Sequence, residues 1–203
     1  MKKILFINVL YFSLIANTFS QNKDYEIYSI LLNDKEINWT NKNTALIFSK
    51  TVKHVESSDV LLELKANLNG VPDYMDSYLD ENLIKVYNSD ENLRLALLGL
   101  LKGSKNSIKI DSFINPQFKL KLINKRNFES FFKKDINEGW NQINKKYQSN
   151  LVVEFSKVSF SGKYAAVYYR IYCGGLCGSG DIFVFENRNN KWFIISTINL
   201  IRG

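Results

Sequence analysis

Histidine is nearly absent: His54 is the only one in 203 residues, which also hold just two cysteines and two prolines. A Ser-His-Asp or Cys-His mechanism would have to use that one imidazole. No Gly-x-Ser-x-Gly nucleophile elbow accompanies it. A histidine-based metal site would likewise have a single imidazole to draw on. Next to Lys53, His54 reads as an ordinary, partly exposed side chain. Beyond the first twenty residues there is no unbroken apolar run of the roughly 20 residues that a spanning helix needs, so no membrane span is expected in the rest of the chain.

The first twenty residues have the layout of a secretory signal. Lys2 and Lys3 form a positive start, Ile4 to Ala16 are apolar apart from Asn8 and Ser13, and Asn17-Thr18-Phe19-Ser20 is a short, more polar close. Cleavage before Gln21 is expected, giving residues 1–20 as signal peptide and 21–203 as a single α+β domain. The competing reading is an uncleaved N-terminal anchor, against which the shortness of the apolar run argues. The absence of cysteine at the cleavage point argues against a lipid anchor. The expected location is outside the inner membrane, periplasmic or extracellular. The remaining 183 residues suffice for one ordinary core. Losing Lys2 and Lys3 leaves 25 basic against 20 acidic side chains, a net +5. That modest excess does not by itself point to nucleic acid.

Periodicity divides this domain into a mainly helical first half and a strand-rich last third. Tyr25, Tyr28, Leu31 and Leu32 recur at helical spacing. Ala45-Leu46-Ile47-Phe48 reads as a short buried strand, and two helical stretches follow on either side of Pro72. Gly103 ends the apolar run Leu95 to Leu101. Phe118 to Leu122 alternates as a strand, and helices are predicted around Phe128–Lys134 and Ile136–Tyr147. Then come strands at Leu151–Phe155, Tyr164–Tyr172, Asp181–Glu186 and Trp192–Ile198, with turns at Ser161-Gly162 and Asn187-Arg188-Asn189-Asn190. The expectation is an α+β fold: N-terminal helices packed on one face of a C-terminal antiparallel β-meander of about four strands.

Cys173 and Cys177 are the whole cysteine complement. An even count in an exported chain favours a disulfide, and Gly174-Gly175-Leu176 between them is flexible enough to permit the bond geometry. So short a loop removes little chain entropy, so its expected effect is to fix a turn. A redox pair, lacking the usual two-residue spacing, and a metal site are the rival readings.

The residues Phe155-Ser156-Lys157-Val158-Ser159-Phe160, Tyr164-Ala165-Ala166-Val167-Tyr168, Cys173-Gly174-Gly175-Leu176-Cys177-Gly178-Ser179-Gly180 and Lys191-Trp192 form a distinctive series. It resembles a group of small exported bacterial proteins that have no assigned function. The resemblance covers about the C-terminal third, with a weaker likeness at Trp140 and the Tyr25–Leu32 helix. It implies export from a bacterium and a shared fold, and brings no catalytic residues with it.

Three further clusters invite a chemical reading. Asp73, Asp76, Asp80 and Glu81 share one side of a helix at their spacing. Carboxylates so placed serve calcium or acid–base chemistry, but no glycine-punctuated calcium loop is present and a solvated helix face is the plainer reading. Lys119, Lys121, Lys125, Arg126, Lys133 and Lys134 interleave with Phe118, Phe128, Phe131 and Phe132. Aromatic-basic mixtures bind single-stranded nucleic acid, yet these phenylalanines have the spacing of a buried helix stripe. The sharpest candidate is the loop. Gly174, Gly175, Gly178 and Gly180 expose backbone N–H groups suited to an anion. Tyr164, Tyr168, Arg170 and Tyr172 alternate onto one strand face beside them. The alternative is that these tyrosines pack under helices and the glycines only permit a bend. The function expected is an exported binding or interaction domain using this loop, its ligand a peptide, glycan or envelope protein, without cofactor, metal or nucleic acid. A carboxylate-dependent envelope hydrolase is the alternative, and a structural or inhibitor-like protein the third.

Overall fold

The computed structural model describes residues 23–33, 44–53, 55, 81–111, 119–175 and 177–202. The signal segment, His54 and Asp73, Asp76 and Asp80 lie outside the described residues. The opening helix α1 spans residues 23–33 and buries Ile27, Tyr28, Leu31 and Leu32; of the stripe expected from its spacing, Tyr28, Leu31 and Leu32 are buried and Tyr25 only partly so. Among the described residues four more helices follow: α2 (Glu81–Ser89), α3 (Glu91–Lys102), α4 (Lys125–Ser130) and α5 (Ile136–Tyr147). Asp90 and Asp135 cap α3 and α5 by accepting hydrogen bonds from Asn92 N and from Asn137 N and Glu138 N.

The strands are β1 (Thr44–Phe48), β2 (Lys119–Ile123), β3 (Val152–Phe155), β4 (Ser159–Ser161), β5 (Tyr164–Tyr172), β6 (Gly178–Arg188) and β7 (Lys191–Arg202). They form one seven-stranded sheet in the order β2-β1-β3-β5-β6-β7, with β4 also paired to β5. The fold is α+β, but the expected meander of about four strands is too small. β1 pairs in parallel with both β2 and β3, so the sheet is mixed. The antiparallel part itself has five strands, β3 to β7. β1 lies between two partners and is buried from Ala45 to Phe48, as a central parallel strand should be.

β3 and β4 pair with opposite ends of the same edge of β5. Between them Ser156 takes over the ladder. Its N–H donates to Tyr168 O at 2.9 Å, and its Oγ accepts from Tyr168 N at 2.9 Å. The Tyr28 hydroxyl then donates to Ser156 O at 2.8 Å, fastening α1 to the sheet.

Helices cover both faces, not one. On one face α1 packs on Ala45, Ile47, Val153, Phe155 and the odd-numbered residues Ala165 to Ile171 of β5. On the other, α2 and α3 cover Tyr164, Ala166, Tyr168, Ile182 and Val184. α4 and α5 cover Leu46, Phe48 and Val152 on that same side, with Tyr172 at the margin. Each large apolar side chain so buried contributes roughly 1.5–3 kcal/mol. Arg170 falls at the seam between these two helix groups. Among the described residues no helix is long and apolar enough to cross a membrane.

Asp24, in the first turn of α1, is 1% exposed, and among the described residues neither carboxyl oxygen has a hydrogen-bond partner. Burial pushes its pKa from 3.8 up to about 7, with the Lys157 ammonium pulling the other way.

Candidate functional site

The strand-to-strand connection after β5 is closed by the Cys173–Cys177 disulfide. Within it the Cys173 N–H donates to Cys177 O at 3.0 Å. Gly174 has φ +104°, a backbone that L side chains rarely adopt, and a Cβ there would meet no atom of the described residues within 4 Å. The loop rests on the first turn of α5: a Cβ at Gly175 would lie 3.2 Å from Asn137 Oδ1.

Under this loop lies a cavity of about 430 Å³. One wall is aromatic and comes from α4, the turn after it, α5 and β5. Phe128, Phe132, Trp140 and Tyr172 all line it. Their rings meet edge-on or tilted, Phe132 and Trp140 at 5.4 Å, Phe128 and Trp140 at 5.8 Å, and Phe128 and Tyr172 at 5.6 Å. Such offsets suit the aromatic quadrupole. Ile136, 50% exposed, is a further apolar lining residue. The charged member of the lining is Arg170, whose guanidinium stacks 4.5 Å above the Tyr172 ring.

Behind Tyr172 its hydroxyl donates to Glu154 Oε2 at 2.7 Å. Glu154 is buried, its side chain 3% exposed, and Lys125 Nζ approaches Oε1 at 3.5 Å. The ring that forms the cavity wall is therefore positioned from both sides, by a stacked cation and by a buried carboxylate. Pre-set geometry of this kind lowers the ordering cost of binding.

Of the eight residues that the sequence gathers at the loop and its strand, Arg170, Tyr172, Gly174, Gly175 and Gly178 line one cavity, while Gly180 is buried within β6. Tyr164 and Tyr168 do not line it. They are 3% and 1% exposed and pack beneath α2 and α3. Alternation places them on the same sheet face as Arg170, but cannot show which part of that face helices cover. Phe128, Phe132 and Trp140 complete the site; the sequence weighs the two phenylalanines only as a nucleic-acid platform or a buried stripe, and gives Trp140 no ligand role. Helical spacing marks the phenylalanines as buried, which Phe128 is, and leaves unseen the cavity at their edge. From the basic-aromatic run, Lys121 Nζ donates to Tyr147 O at 3.0 Å, while Phe131 packs against the α4–α5 core. Glu81 opens α2. Among the described residues no three His, Cys, Asp or Glu side chains come together as a metal site would require.

No family model matches this chain, and neither the curated proteins nor the solved structures include one significantly similar to it.

Proposed function

We propose that this is an exported binding domain whose ligand enters the cavity beneath the disulfide loop. The observation that carries the reading is convergence. A disulfide-closed glycine loop, an aromatic wall and one guanidinium come from β5, α4, α5 and the loop to border the same space. Apolar pockets with a few placed polar groups are the usual form of a small binding site. A sugar would need several side-chain hydrogen-bond partners, and this lining offers chiefly Arg170. A peptide segment fits better: an apolar or aromatic side chain against Phe128, Phe132 and Trp140, and a carbonyl or carboxylate towards Arg170.

The test is a titration of the chain with short peptides ending in phenylalanine or leucine, followed by the Trp140 indole N–H resonance. The expected result is a shift of that resonance that Arg170→Ala weakens at least tenfold without lowering the melting temperature. If no peptide moves it, or if Arg170→Ala merely unfolds the protein, the reading fails. Export has its own check, the intact mass of protein recovered from its native host. A chain starting at Gln21 with both thiols resistant to alkylation supports it, and an unprocessed chain with two free thiols overturns it.

A further inference from the structure

Glu154 also faces the other way. It forms part of the lining of a second, larger cleft of about 890 Å³, between the segment after β1 and the start of α4. Among the described residues four cationic side chains, Lys50, Lys53, Lys125 and Arg126, line this cleft, with Glu154 the one acid. All four cations are exposed. Their backbones are not free to spread. The Ser49 N–H donates to Ile123 O at 2.9 Å, the Thr51 N–H to Ile108 O at 3.0 Å, and the Val52 N–H to Phe155 O at 2.8 Å. Arg126 is set on the other wall by the Asn124 cap of α4, which accepts from Asn127 N at 2.7 Å. Like charges held around a concave surface repel one another and raise the local potential for an anion.

Three features narrow what that anion is. Among the described residues the single aromatic side chain in the lining, Phe48, is 2% exposed, so these residues offer a nucleobase no ring to stack on. The remaining lining is rich in short hydroxyl and amide groups, Ser49, Thr51, Ser107, Asn124 and Asn127 among them. Finally, Glu154 is an acceptor at the base of the cleft. It receives Tyr172 on Oε2 and faces Lys125 through Oε1, but an ionised carboxylate has about four lone-pair positions. An acceptor among cations suits a ligand that carries hydroxyl donors as well as negative charge. We propose that this cleft binds an acidic saccharide, its acid groups on Lys50, Lys53 and Arg126 and a hydroxyl donating to Glu154.

The test is calorimetric titration of the chain with trigalacturonate in low salt, alongside maltotriose, inorganic phosphate and an oligothymidylate of eight residues. The expected result is saturable trigalacturonate binding that weakens about tenfold as ionic strength rises from roughly 0.05 to 0.3 M, as a screened interaction should. Lys50→Ala with Arg126→Ala, both at exposed positions, should weaken it at least tenfold more while the melting temperature holds. The Trp140 resonance stays unmoved throughout, which separates this site from the peptide cavity and lets either fail alone. Absence of trigalacturonate binding, equal binding of maltotriose, full competition by inorganic phosphate at equal concentration, or tighter binding of the oligothymidylate would each overturn the proposal.

Discussion

Tyr172 and Glu154 lie diagonally across the β5–β3 ladder, where Tyr172 is opposite Val152 and Glu154 opposite Arg170. Their 2.7 Å hydrogen bond joins the wall of one cavity to the floor of the neighbouring cleft. The two members differ in what they can lose. Tyr172 is partly exposed and keeps its ring contacts without the hydroxyl, whereas Glu154 is a buried charge that needs its donors.

Tyr172→Phe therefore removes a donor without opening a hole. A buried carboxylate deprived of a partner costs about 1–3 kcal/mol, and that loss should appear in urea unfolding. Lys125→Met, removing an ammonium that is 55% exposed, should cost about 0–1 kcal/mol. If the two substitutions prove equally costly, the hydroxyl is not the main support of Glu154.

The disulfide makes a prediction of a different kind. Cys173 and Cys177 are four residues apart, so the chain-entropy view gives their bond only about 2 kcal/mol. Reduction should lower the melting temperature by a few degrees and leave the fold in place. The loop that rests on α5 should loosen at once, and any ligand of the aromatic cavity should bind several-fold more weakly. Unfolding of the whole chain on reduction would show that the bridge supports the core instead of the turn.

Much of this arrangement was legible in the sequence, for local reasons. The α1 stripe, the bounds of β5 and the alternation of Tyr168, Arg170 and Tyr172 follow from spacing over a few residues. So do the turns, where Asn189 and Asn190 take φ +52° and +62°. What stayed hidden is non-local. Nothing near Ala45–Phe48 announces that its partners are Lys119–Ile123 and Val152–Val153, because parallel pairing needs no adjoining turn. The same blindness hid the site. Trp140 and Arg170 are thirty residues apart, and only the packing of α5 beside β5 shows that they share a cavity. Glu154 sits in an alternating strand where a charge reads as solvent-facing, and its burial depends on Tyr172 and Lys125 arriving from elsewhere.

Alanine should cost unequal amounts at the two hairpin turns. Asn190→Gly keeps the left-handed backbone at no steric cost and should be neutral or slightly stabilising. Asn190→Ala should cost about 1 kcal/mol. At Gly162, with φ +54°, a Cβ would also stand 2.7 Å from Asn92 Cγ. Gly162→Ala should therefore cost more than Asn190→Ala in the same urea series. An equal or smaller cost would mean that the turn and Asn92 shift easily together.

Asp24 gives the stability its expected pH dependence. Its carboxyl is buried on the α1 face, with Tyr28 one turn along and Lys157 the opposing charge. Burial outweighs the ammonium, so the folded-state value of about 7 stands above the ordinary 3.8. Between those values the folded chain holds a proton that the unfolded chain has released, so stability falls as pH rises. The contribution is fully present below about pH 4. It declines by up to about 1.4 kcal/mol per pH unit through the interval and is exhausted above pH 7. Asp24→Asn removes the ionisation at nearly constant volume. It should raise unfolding free energy at pH 8 by more than 1 kcal/mol and change it little at pH 4. Urea midpoints of both proteins at those two pH values decide the matter. Midpoints displaced equally at both would trace the effect to packing, because only a titrating carboxyl separates them with pH.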